Sequence, residues 1–155
     1  MKRILSFVVL FCICIIGTMA KSNKMPQYDI TGAGSGTEGT LLVKVYVYGN
    51  KVSDQDFIRA AVHGVVFRGL SGNESGARQP AMAAPTAEAD NASFCEAFFS
   101  VDGPCQNYAS IVDGSYERVK TKKGYKNGAI LQVNKASLRK ELEKAGVVRS
   151  LSSGF

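Results

Sequence analysis

A single histidine, His63, four cysteines and 13 carboxylates are the residues of this 155-residue chain that could carry acid–base, nucleophilic or metal chemistry. A hydrolytic triad needs the imidazole beside a nucleophile and a carboxylate. Helical spacing puts His63 on the polar side of a helix with Asp56 and Arg59, facing solvent, while Cys95 and Cys105 lie in another segment. A structural zinc needs four nitrogen or sulfur ligands, and His63 with Cys95 and Cys105, the two cysteines outside the apolar N-terminal run, in no Cys-x-x-Cys or His-x-x-x-His spacing, falls short. No catalytic residue, metal site or cofactor is therefore expected. A hydrolase would need a cleft of titratable groups with displaced pKa values.

Two motif matches fail on context. Gly34-x-Gly36-x-x-Gly39 has the spacing of a dinucleotide fingerprint, but that fingerprint follows a strand and opens a helix whose N-terminus meets the pyrophosphate. Here it precedes a strand. Ser137-Leu-Arg-Lys140 has the Ser-x-x-Lys pattern of penicillin-binding enzymes but none of their companion motifs. Ser137 reads as a first-turn helix residue.

The N-terminus sets the compartment. Lys2 and Arg3 precede an apolar run from Ile4 to Ile16, and Thr18-Met19-Ala20 supplies small residues before a cut after Ala20. This is the signal-peptide pattern. The alternative is an uncleaved anchor, since residues 4–20 just reach the ~17–25 needed to span a bilayer. Removal of residues 1–20 takes Lys2 and Arg3 and lowers the net charge from +6 to +4. An exported chain, in the periplasm or at the outer membrane, is the expectation. In an oxidising compartment Cys95 and Cys105 read as a disulfide. It would close a short loop through Gly103-Pro104 and add ~2–3 kcal/mol. Two buried thiols are the other arrangement.

The remaining chain reads as one domain. Residues 21–40 form a flexible glycine-rich lead. Residues 41–48 alternate Leu41, Val43, Val45 and Val47 with Leu42, Lys44, Tyr46 and Tyr48, as a strand does. Ser53 and Asp56 cap a helix whose apolar side is Ile58, Ala61, Val62 and Val65. It ends between Gly64 and Gly69, unless Val65-Val66-Phe67 begins a strand. Residues 69–92 read as a mobile loop. A short apolar helix holds Phe94, Cys95, Phe98 and Phe99. Strands at 115–121 and 126–133, turned by Lys122-Lys123-Gly124, lead to a helix at 135–145 capped by Asn134 and stopped by Gly146. Residues 150–155 form a polar tail. The order β-α-(α)-β-β-α gives an α+β domain spanning 41–149, with helices on one face of a small, mostly antiparallel sheet.

Charge is uneven. Residues 118–149 hold ten Lys or Arg against Glu141 and Glu143. Arg118, Lys120, Lys122, Lys123, Lys126, Lys135, Arg139 and Lys140 could line an anion-binding face for an acidic polymer or lipid head groups. A solvated hairpin and helix is the plainer alternative. No aromatics interleave with these cations as a nucleic-acid stacking platform requires, so no nucleic-acid partner is expected.

The runs Thr40-Leu-Leu-Val-Lys-Val-Tyr-Val-Tyr48, Arg59-Ala-Ala-Val-His-Gly-Val-Val-Phe-Arg-Gly69 and Leu151-Ser-Ser-Gly-Phe155 resemble a family of uncharacterised exported proteins of gut-dwelling Gram-negative bacteria. The succession of strand, Ala-rich helix, hairpin and Leu138-Arg-Lys-Glu-Leu142 helix is more remotely similar to small domains of flagellar-ring and curli-cluster lipoproteins. That likeness implies an assembly factor with an envelope protein partner and no enzymatic activity. This sequence lacks the lipid-acceptor Cys of that group, which puts the implied membrane anchoring in doubt.

Overall fold

The structure, a computed structural model, describes residues 23–72 and 78–150. The expected signal peptide, the loop residues 73–77 and the tail from Leu151 onward lie outside the described residues.

Alternation builds the sheet. In β2 (Thr40–Tyr48) every second residue is buried, from Leu41 to Val47, as its apolar period demands. β2 pairs antiparallel with β1 (Tyr28–Ser35) on one side and β5 (Gly124–Asn134) on the other. β5 is the longest strand, and its second edge carries two short strands end to end. β3 (Ala109–Ile111) pairs with Leu131–Val133, and β4 (Glu117–Thr121) with Gly124–Gly128. The order is β1-β2-β5-β3, with β4 beside β5, and every pairing is antiparallel.

β1 corrects the expectation of a flexible lead over 21–40. Tyr28, Ile30 and Gly32 oppose Val47, Val45 and Val43 and so share their inward face. Glycine at the third inward position hides the period in the sequence. The register then shifts between Gly32 and Gly34. Gly34, Gly36 and Gly39 carry the chain from β1 around into β2 and open no helix.

Helix α1 (Asp54–His63) starts as expected. Asp56 N–H donates to Ser53 Oγ at 3.3 Å, and Ser53 N–H to Asp56 Oδ2 at 3.0 Å. It does not stop at His63. The chain widens into a π-helical turn over Gly64–Arg68 that ends at Gly69, so Val65-Val66-Phe67 is not a strand. Gly64 is required there by proximity. A Cβ would lie 2.7 Å from Ile30 Cδ1 and 2.9 Å from Ile30 Cγ2.

The segment after Gly69 corrects the expectation of a mobile loop in its described part. Helix ends leave carbonyls without partners. Here Val65 O accepts from Met82 N–H at 3.4 Å and Val66 O from Ala83 N–H at 2.9 Å. Leu70 and Gln79 exchange both backbone hydrogen bonds. The strap leads into α2 (Ala87–Asp90) and α3 (Ala92–Phe98), and then into a 3₁₀ turn, Pro104–Tyr108. Ala83 and Ala87 are small enough to be buried against the core.

α4 (Lys135–Lys144) matches its expected span. Ser137 N–H donates to Asn134 Oδ1 at 3.0 Å, and Gly146 turns the chain with φ +77°. Leu138 and Leu142 are fully buried in the single core, each contributing ~1.5–3 kcal/mol. The fold is α+β, as the sequence implies, with a five-stranded antiparallel sheet.

Gly69 carries the strap's geometry. Its φ is +71° with ψ −177°, and a Cβ would meet Gln79 O at 2.6 Å and Ala81 N at 2.7 Å. Gly69→Ala is expected to destabilise by ~3 kcal/mol or more, since a glycine-only conformation and a backbone clash add. Urea unfolding of the two proteins measures this.

Candidate functional site

Arg59 and His63 sit one turn apart on the same side of α1, as their spacing requires. The expectation that this side faces solvent is corrected. Arg59 is 1% exposed and His63 7%. Residues 23–25, α2 and α3 cover the face, and long-range contacts of this kind leave no trace in helical periodicity. Arg59 Nε donates to Phe99 O at 2.8 Å and Nη2 to Asn23 O at 2.6 Å, with Asp56 Oδ1 3.5 Å from Nη1. His63 Nδ1 is 2.5 Å from the Tyr28 hydroxyl, and Nε2 is 2.9 Å from Glu88 Oε1. A carboxylate can only accept, so Nε2 carries the proton in the neutral ring and Tyr28 donates to Nδ1. Phe67 and Phe99 pack their rings against the imidazole at 5.1 and 5.2 Å.

Burial lowers the His63 pKa. The hydrogen bond and charge of Glu88 oppose this, and Arg68 and Arg59 add to it. Burial raises the Tyr28 phenol well above its usual range. Both groups are therefore held in their neutral forms.

Beside this relay is a cleft of about 240 Å³ lined by Asn23, Met25, His63, Glu88, Ala92, Cys95, Glu96 and Phe99. It joins the imidazole, a carboxylate and a thiol that the sequence separates. A thiol nucleophile needs a thiolate and a base with a free nitrogen. Cys95 is pushed the other way, by burial first and then by the charge of Glu88. Both imidazole nitrogens are already engaged. Among the described residues no three His, Cys, Asp or Glu converge to hold a metal ion.

The expected Cys95–Cys105 disulfide is not formed. Both are free, buried thiols. Cys95 lies in the cleft wall near Glu88, whereas Cys105, fully buried, lies in the 3₁₀ turn just after Pro104, within reach of the Arg59 charge. Burial pushes Cys105 up to about 11.

The eight basic residues separate into two groups. Arg118, Lys120, Lys122, Lys123 and Lys126 lie at the hairpin end of β5, and Lys135, Arg139 and Lys140 follow its other end. Eleven residues of strand hold the two ends roughly 35 Å apart, so no continuous stripe forms. Within α4, Arg139 Nε bonds Glu143 Oε1 at 2.8 Å, and Lys135 Nζ bonds Gln79 Oε1 at 3.0 Å.

The hairpin group does interleave with aromatics, which corrects the sequence reading. Lys126 Nζ lies 4.0 Å from the Tyr46 ring centre, and Arg118 Cζ 3.9 Å from that of Tyr125. Tyr46 and Tyr48 come from β2, brought beside Lys126 by register. Lys126 also reaches Asp29 Oδ2 at 3.7 Å, and Lys44 pairs with Glu117 at 3.1 Å. No acidic residue pairs with Lys120, Lys122 or Lys123 among the described residues.

No protein-family model, curated protein or solved structure matches this chain. No helix among the described residues is long and apolar enough to cross a membrane.

The buried histidine gives stability a pH dependence. The unfolded chain protonates His63 near pH ~6.5 and the folded chain only at lower pH. Stability is therefore full above that value and falls as pH drops toward the folded pKa. Urea midpoints on either side of pH ~6.5 are expected to show this loss, and His63→Gln to flatten it. Cys95 and Cys105 are expected to resist a thiol reagent in the native protein and to react in denaturant without prior reduction. A reductant requirement would reinstate the bridge.

Proposed function

We propose that this chain is an exported binding or assembly component of the cell envelope, with no catalytic activity of its own. The N-terminal signal pattern supports export. The non-catalytic reading draws support from the cleft, where His63 spends both nitrogens on Tyr28 and Glu88 and burial disfavours the Cys95 thiolate.

The observation that carries the binding reading is the distribution of exposed apolar groups. Val112, Tyr116 and Val119 are the exposed large hydrophobics among the described residues, at 38%, 52% and 51%. All three fall within one stretch of eight residues along the outer edge of β5. Tyr116 is turned onto α1, with its ring on Phe57 and its hydroxyl donating to Asp54 Oδ1, so the contact surface we propose rests on Val112 and Val119.

Fractionation of cells that express the whole chain tests the proposal. The expected result is a processed chain, shortened by its leader, in the periplasmic or outer-membrane fraction, together with a co-purifying envelope component. That component should be depleted when Val112 and Val119 are both replaced by Ser. An intact chain in the cytoplasm, or an envelope chain that recovers nothing above background, defeats it.

A further inference from the structure

The β4–β5 hairpin joins two features that lie apart elsewhere. Lys120, Lys122 and Lys123 project from it, exposed and without an acidic partner, and Lys51 stands on the neighbouring turn. That turn is fastened to the hairpin: Gly49 N–H donates to Tyr125 O at 3.0 Å, and Arg118 Nη2 to Asn50 O at 3.3 Å. On the same hairpin Val119 leaves half its surface in solvent.

We propose that this hairpin is a peripheral membrane-binding element that seats on the phosphate head groups of an anionic bilayer. The inference rests on the envelope reading above and narrows it to one ligand chemistry. Free ammonium groups supply the attraction to a negatively charged surface. Val119 supplies an apolar contact with the acyl boundary, which a soluble acidic polymer would not reward. The hairpin is preorganised for this task. Arg118 stacked on Tyr125 and Lys126 stacked on Tyr46 stiffen its base, leaving the three lysines at its tip unspent.

The test is sedimentation of the whole processed chain with phosphatidylcholine vesicles, with and without phosphatidylglycerol. Binding is expected only with the anionic lipid, and raised salt should weaken it. Lys122→Gln with Lys123→Gln is expected to weaken binding about 25-fold, a factor of ~5 for each lysine. Val119→Ser should weaken it severalfold. Lys140→Gln with Lys144→Gln, on α4, should leave it unchanged. All five positions are exposed, so circular dichroism should show an unaltered fold.

Equal binding to neutral vesicles overturns the proposal, as does equal loss from the α4 pair. Binding to a soluble acidic polysaccharide that matches vesicle binding and ignores Val119→Ser assigns the hairpin to a polymer instead. An envelope-located chain that binds no vesicle removes the hairpin inference and leaves the envelope reading standing. A vesicle-binding chain found only in the cytoplasm does the reverse.

Discussion

Arg59 and His63 hold the molecule together across elements that have little else in common. A buried guanidinium loses its water, and only hydrogen bonds of good geometry offset that loss. Arg59 finds them on Phe99 O, after α3, and on Asn23 O, ahead of β1. His63 reaches Tyr28 in β1 and Glu88 in α2. The N-terminal segment, the edge strand and the α2–α3 layer are thus all fastened to one face of α1. None can leave without stranding a polar group in the interior, where an unsatisfied partner costs about 1–3 kcal/mol. The aromatic rings of Phe67 and Phe99 line the space around His63, so the same packing that shields the relay also sets its electrostatics.

This dependence explains which parts of the fold are legible in the residues. β2, the start of α1 and the whole of α4 are local statements: a two-residue period, a Ser53–Asp56 capping box and an Asn134 cap each need only their own segment. Periodicity also groups Arg59 with His63 on one side of α1. It cannot tell what covers that side, because the cover comes from residues 23–25 and 87–99. β1 fails for a different reason. Its inward positions are Tyr28, Ile30 and Gly32, and glycine does not register as apolar. The strap beyond Gly69 is ordered by Val65 and Val66 carbonyls at a helix end, a demand of the backbone that side-chain composition does not record.

The site was partly legible by residue type and hardly by arrangement. His63 and Cys95 are conspicuous, but their shared cleft with Glu88 and the commitment of both imidazole nitrogens come from tertiary packing. The basic residues look continuous along the chain because sequence distance ignores the direction of a strand. β5 carries one group away from the other. The same register sets Tyr46 and Tyr48 of β2 beside Lys126 of β5, so the cations gain an aromatic lining from a strand nearly eighty residues earlier.

Among the described strands β5 comes last in the chain and is the one that pairs with β2, β3 and β4. Thr40 of β2 waits for Asn134, and Tyr48 for Lys126. Until those residues exist, the nascent chain owns one hairpin, β1–β2, which is marginal alone. It also presents an open row of backbone donors and acceptors along β2, the kind of edge that recruits other chains. Closing such long loops before any reward makes folding slow. The sheet therefore cannot close until β5 has been synthesised. A chain truncated before Gly124 would be an aggregation seed and not a smaller version of the domain.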